Sequence, residues 1–307
     1  MSRLRTSSTG GQGAGFWYGI AAYALWGVFP VYFKLIGFVP ADQIIAHRII
    51  WSFVLLAVLR MAAIGGREPL VLTPRVAAMY AAAALLIAVN WFIYVWAVSH
   101  GFIVETSLGY FITPLVQVLI GVALLGERLR RLQWTAVALA VTGVAYLALV
   151  YGDVPWIAIG LAMSFGTYSL VKKTAPLGPL LGLTLETGIL FLPALAFVIA
   201  IELRGNGFFH QVGPGTELLI TAAGPITTLP LVLFAAAVRR IPLSTLGILQ
   251  FFSPTLQFLL GVLVYKEPFN RQQFVGFAFV WAAVIVFGAE GLLNRTQRQA
   301  APQQNVT

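Results

Sequence analysis

The sequence is 307 residues long, 59% hydrophobic and only 9% charged, with a net charge of +9 and no cysteine, which excludes disulfides, thiolate metal sites and a catalytic thiol. A water-soluble domain carries about 25% charged residues, so this chain cannot cover itself in water and much of its surface must face lipid. The basic residues sit in twos and threes between apolar runs, the pattern of membrane loops, and this excludes nucleic acid as the partner that explains the charge.

Residues 1–14 are rich in Ser, Thr and Gly and read as a disordered tail. A helix crossing the hydrocarbon needs about 20 residues. Read from one Gly, Pro or charge cluster to the next, the chain predicts ten such helices: 16–36, 43–64, 76–98, 104–125, 132–150, 155–172, 180–201, 217–238, 243–265 and 271–290. The first run is too long for a signal-peptide core and no small-residue cleavage site follows it. All ten are too long and continuous for barrel strands. Residues 292–307 are polar and Gln-rich and read as a second tail.

Lysine and arginine orient these helices. With the N-terminus inside, 14 of the 19 basic residues fall on the inner side, Lys34, Arg204, Lys266 and Arg271 fall outside, and Arg48 lies within a helix. The positive-inside rule then places both tails in the cytoplasm.

The chain repeats itself. TPLVQVLIGVALLGERLRRLQW (113–134) matches SPTLQFLLGVLVYKEPFNRQQF (253–274), with Pro114, Gln117, Gly121, Glu127 and Arg131 identical at an offset of 140. Gly27 and Lys34 match Gly166 and Lys173 at an offset of 139. Residues 15–150 and 151–291 therefore read as two copies of a five-helix unit. Five is odd, so the second copy runs through the membrane upside down. The expected fold is an all-α membrane protein of ten transmembrane helices in two inverted repeats. This architecture puts a substrate site near the midplane, between halves that rock to expose it alternately. Pro114 and Pro254, at matched positions in helices 4 and 9, are the expected hinges.

Polar residues inside the apolar runs are the candidate site. Arg48 lies about five residues, or ~7.5 Å, from the outer end of helix 2. It either snorkels to the interface or faces the bundle interior and binds an anionic group. His47 is about 100° further round the helix and either makes a neutral polar contact or transfers protons. Asn90 in helix 3 and Glu105 at the start of helix 4 fall near the level of Arg48 and would satisfy it as a cluster. Glu105 alternatively is a solvated acid favoured by the helix dipole. Glu186 is the deepest acid, at the repeat position of Arg48 to within one residue, and is the candidate proton carrier. Its alternative role is to partner Lys172 or Lys173. Gln117, Gln250 and Gln257 add uncharged polar groups, and Trp51, Tyr94 and Tyr110, with Trp26 and Trp91, are candidate walls of an amphipathic cavity. Ala77, Ala81, Ala84 and Ala88 form a small-residue face for close packing.

The sequence lacks GxxxxGKS/T, HExxH and GxSxG, and His47, His100 and His210 lack metal-ligand spacing. No cofactor or metal is expected, and no enzyme activity.

AYALWGVFPVYFK, AHRIIWS, NWFIYVWAV, ETSLGYFITPL, GER, VPWIAIGLAMSFGTYSLVKK, LET and YKEPF together resemble the RarD subgroup of the EamA-type permeases, in the drug/metabolite transporter superfamily. The match spans roughly residues 15–290. It implies a bacterial inner-membrane transporter of two five-helix repeats. His47, Arg48, Asn90, Glu105, Glu186 and Pro114 stand at the group's polar and kink positions. Thr113 departs from it, standing where Asn is expected before the proline. The function expected is secondary transport of a small metabolite or drug, with protons as a candidate coupling ion. The alternatives are an uncoupled facilitator of amino-acid-like solutes and a membrane scaffold with no polar cavity.

Overall fold

The computed structural model describes residues 9–62, 72–100, 102–151, 156–209, 211, 213–266 and 271–300, and among them every regular element is a helix. In chain order these are α1 (Thr9–Leu35), α2 (Ala41–Ala62), α3 (Pro74–Ser99), α4 (Ile103–Ala123), α5 (Arg131–Tyr151), α6 (Trp156–Thr174), α7 (Pro179–Leu203), α8 (Pro214–Val238), α9 (Leu243–Gln250), α10 (Phe252–Leu259) and α11 (Arg271–Ala300). A π-helical turn, Leu260–Val264, continues α10. α1 reaches back to Thr9 and α11 on to Ala300, both further than the apolar runs alone suggest.

Among the described residues, eight helices are long and apolar enough to cross a membrane, with α9, α10 and the π turn forming one rod. α4 adds a shorter apolar stretch, Leu108–Ala123. α6 has 19 residues, but Lys172 and Lys173 end it and Ser164, Thr167 and Ser169 interrupt it, so its hydropathy is lower. Large apolar side chains point outward from the bundle: Leu203 is 84% exposed and Leu149 82%. Surfaces of this kind are stable against lipid and not against water.

The close packing runs between the two sequence halves. α1 lies along α8 and α10, α2 along α7 and α8, α3 along α6, α4 along α6 and α9, and α5 along α11. Neighbours within one half touch far less. Small residues allow the approach, as is usual between membrane helices. A Cβ on Gly224 of α8 would lie 2.5 Å from the Trp51 backbone of α2, and one on Gly247 of α9 would lie 2.6 Å from the Pro114 carbonyl of α4. The expected alanine face of α3 is rotated: Ala84 is buried, but Ala81 is exposed, and the buried stripe is Tyr80, Ala83, Ala84 and Ile87.

The two matched prolines act differently. Pro254 has no N–H to give the Gln250 carbonyl, and its ring crowds that carbonyl. The rod breaks there, between Gln250 and Phe252, and Phe251 bonds back to Ile248 instead. Pro114 sits inside a continuous α4. The Thr113 hydroxyl donates to the Gly109 carbonyl at 2.7 Å one turn earlier. The expected pair of helix interruptions is therefore one break, at Pro254.

Candidate functional site

Two helix groups face each other: α1, α2, α7 and α8 on one side, and α3, α4, α6 and α9 on the other. Each takes helices from both sequence halves. Between them lies a cavity of about 670 Å³. It reaches the end of the bundle where Lys34, in the last turn of α1, and Gly37, just past it, are exposed. At that mouth the Lys34 ammonium sits 3.3 Å above the centre of the Tyr265 ring. The walls are largely aromatic, with Trp26, Phe29 and Phe33 from α1, Trp91 and Tyr94 from α3, Tyr110 from α4 and Phe165 from α6.

Arg48 enters this cavity from α2. Its Nε donates to the Thr227 hydroxyl of α8 at 2.9 Å. Its guanidinium carbon lies 4.7 Å from the centre of the Trp91 ring and 5.7 Å from that of Phe33. Such cation–π contacts contribute roughly 0.5–2 kcal/mol. No carboxylate pairs with it among the described residues. The side chain is held in the bundle interior, and its two Nη groups have no protein partner among those residues.

The amides divide into engaged and free. Asn90 donates through Nδ2 to the Leu161 carbonyl at 3.0 Å and to the Ser164 hydroxyl at 2.9 Å, tying α3 to α6. Gln257 donates to the Trp26 carbonyl at 3.1 Å, tying α10 to α1. Gln250 lines the cavity, is 6% exposed, and its Oε1 has no partner. A buried acceptor left unpaired costs about 1–3 kcal/mol. Tyr94 and Tyr110 meet edge to face, with ring centres 6.0 Å apart.

The cavity ends blind on Tyr23, Trp26 and Phe165, which pack with Tyr168 and Phe234. Polar ties close the bundle beyond this plug. Lys172 pairs with Glu186 at 2.6 Å, and Tyr168 donates to the same carboxylate at 3.0 Å. Lys173 donates to the carbonyls of Val238 and Ile241. Arg239 donates to the Leu177 carbonyl. Glu127, in the α4–α5 connection, accepts the backbone N–H groups of Leu243 and Ser244 and so caps α9.

Of the expected site residues, the cavity gathers Arg48, Asn90, Tyr94, Tyr110, Gln250, Pro254 and Gln257. Five others lie elsewhere. His47 stacks on Phe209 at 5.0 Å, on another face of α2, as the 100° offset requires. Trp51 packs against Phe209 and the Gly224 backbone. Gln117 is fully buried and donates to Ser169 between α4 and α6. Pro114 is buried against Gly247. Glu186, the expected proton carrier, is 1% exposed behind the plug, with Lys172 as its partner, the alternative the sequence had left open. The side chain of Glu105 lies outside the described residues. Asn90 shares the cavity with Arg48, and its Nδ2 donates to α6; the Glu105 part of the expected cluster lies outside the described residues. Thr227 and Glu127 were missed as contacts. The Thr-Thr step inside the apolar run of α8 was the signal for the first. The repeated glutamate was the signal for the second.

Apolar rods around an aromatic-walled cavity that holds a buried arginine fit a multi-pass membrane transporter, and comparison with known proteins names its kind. The model of the EamA-like transporter family matches residues 13–149 and again residues 155–289. The chain belongs to that family, and within it to the RarD subgroup. It is 45% identical over 291 residues to Protein RarD of Streptomyces exfoliatus, covering 94% of this chain and 92% of the relative. It is 44% identical over 279 residues to an uncharacterized transporter of Vibrio cholerae, covering 89% and 91%. Both relatives are bacterial, and the second is a transporter by name. A solved crystal structure with 20% sequence identity matches with a TM-score of 0.68, over 90% of this chain and 97% of the other, and shows the fold alone.

Proposed function

We propose that this chain is a secondary transporter of a small organic solute, working by alternating access from a bacterial inner membrane with both termini in the cytoplasm. In this reading ten spans form two inverted five-helix repeats. The twofold family match and the exchanged packing of α1 with α8 and α6 with α3 support it. The observation that carries the function is Arg48, anchored by Thr227 with both Nη groups unpartnered among the described residues, in a cavity that opens at one end and is plugged at the other. Arg48 holds an anionic group of the solute, and Gln250, Tyr94 and Tyr110 contact the rest. The scaffold alternative requires a bundle closed by apolar packing, which a 670 Å³ cavity speaks against. The moving bodies are the two mixed helix groups rather than the sequence halves, because the halves are packed into each other. Pro254 is the hinge. Counterflow in proteoliposomes tests the reading with a labelled panel of amino acids and organic acids. Wild type accumulates a panel member and Arg48→Ala does not. Equal transport by both would remove Arg48 from the path.

The uncoupled form of transport is favoured by one observation. Glu186 is occupied by Lys172 and Tyr168 and does not reach the cavity. The folded fraction of Glu186→Gln, reduced because Lys172 is stranded, should run counterflow at the wild-type rate per molecule, with no dependence on a pH gradient. Loss of gradient-driven accumulation in that variant would restore proton coupling.

A further inference from the structure

We infer that the cavity is built for a flat organic anion: an aromatic ring carrying one carboxylate and a hydrogen-bond donor, with no ammonium group. The inference rests on reading the cavity as the transport site and adds the class of solute. Charge comes first. Among the described residues the two Nη groups of Arg48 have no partner, and they offer the fork geometry that matches a carboxylate. Among the described residues no Asp or Glu lines the cavity. A carboxylate there gains a cationic partner, whereas an ammonium would trade its water for ring faces and uncharged oxygens and meet the like charge of Arg48.

Shape comes second. A volume of about 670 Å³ is far larger than an inorganic anion needs and lies within the range for small organic ligands. Trp26, Trp91 and Phe165 offer ring faces and edges, against which a planar ring packs best. The third element is Gln250. The residue lines the cavity, and its Oε1 is buried with no donor among the described residues, so a turn of the amide brings it to the cavity. A hydroxyl or ring N–H on the solute would satisfy it.

The test uses the full chain in lipid nanodiscs and four probes of one shape, 4-hydroxyphenylacetate, its neutral amide, tyramine and tyrosine, with phenylacetate as a fifth that lacks the hydroxyl and binds more weakly than the hydroxy acid. The acid binds at least tenfold more tightly than each of the other three. Arg48→Gln erases the preference for acid over amide, and Arg48→Lys keeps part of it while reporting that the fold survives. Gln250→Leu erases the preference for 4-hydroxyphenylacetate over phenylacetate. Binding of tyrosine or tyramine as tight as that of the acid would overturn the inference, as would no binding of the acid by folded protein. Counterflow with the same probes separates the two readings. Tight binding of the acid without exchange would sink the transporter and leave the anion site standing. Exchange of tyrosine in preference to the acid would do the reverse.

Discussion

Glu127 and Ser244 meet across 117 residues of chain: the carboxylate accepts the Ser244 N–H at 2.9 Å and its hydroxyl at 2.6 Å. A negative group placed over the first N–H donors of a helix satisfies them and complements the dipole. α9 has no cap of its own, since Pro242 precedes it. Glu127→Ala should therefore lower the thermal stability of the purified protein by the equivalent of about 1–2 kcal/mol, the cost of losing a strong cap. Ser244→Ala should cost less, because the backbone donors remain. An unchanged melting temperature for Glu127→Ala would show that the contact contributes nothing.

The pair of Lys172 and Glu186 predicts an asymmetry. Both side chains are nearly buried, at 4% and 1% exposure. Removing one partner from a buried pair costs roughly 3–5 kcal/mol, because the other is stranded, while replacing both by apolar residues of similar volume is often neutral. Lys172→Met and Glu186→Leu alone should each cut the yield of folded protein. The double substitution should recover most of it. A double variant as poor as the worse single one would mean that Tyr168 needs the carboxylate more than Lys172 does.

Gly224 and Gly160 make a matched test of helix packing. A Cβ at Gly224 would strike the Trp51 backbone at 2.5 Å, which cannot yield without parting α8 from α2. A Cβ at Gly160 meets only the end of Ile93 at 3.4 Å. Gly224→Ala should lower the melting temperature in detergent, and Gly160→Ala should leave it within error or raise it. Equal effects would place the α2–α8 contact wrongly.

Thr227 aims Arg48 through a single hydrogen bond to Nε. Thr227→Val keeps the shape and removes the acceptor. The guanidinium then keeps its stacking on Trp91 but loses its fixed direction. A net contribution of about 1 kcal/mol per hydrogen bond translates to solute affinity weaker by roughly fivefold. Thr228→Val, one residue on and off this contact, is the control. Competition binding of 4-hydroxyphenylacetate reads both.

Much of the bundle was legible in the sequence because hydropathy and repetition are local or additive signals. The long apolar runs lie close to the helices found, and the offset of 140 residues marks the same two segments that the family match covers. The cavity was legible in its depth but not in its direction. Arg48 and His47 are neighbours on paper, yet the turn of the helix sends one into the cavity and the other onto Phe209. Glu186 reads either as a proton carrier or as a partner of Lys172 or Lys173, because only the folded α6–α7 connection shows that Lys172, 14 residues away, reaches it. Gln117 and Gln257 are identical at the repeat, but Gln117 is buried under Ser169 while Gln257 lines the cavity. A repeat fixes which residues correspond. It does not fix which copy stands open.

The mutual embrace of the two sequence halves has a consequence for how the protein is made. When the first five rods leave the ribosome, the surfaces that α3 and α4 present to α6, and that α1 presents to α8, have nothing to rest on. They must wait in lipid, or against a passing copy of themselves, until the later rods are inserted. A half synthesised alone is an unfinished surface, and two such halves meeting in one membrane would be expected to assemble into each other before either settles by itself.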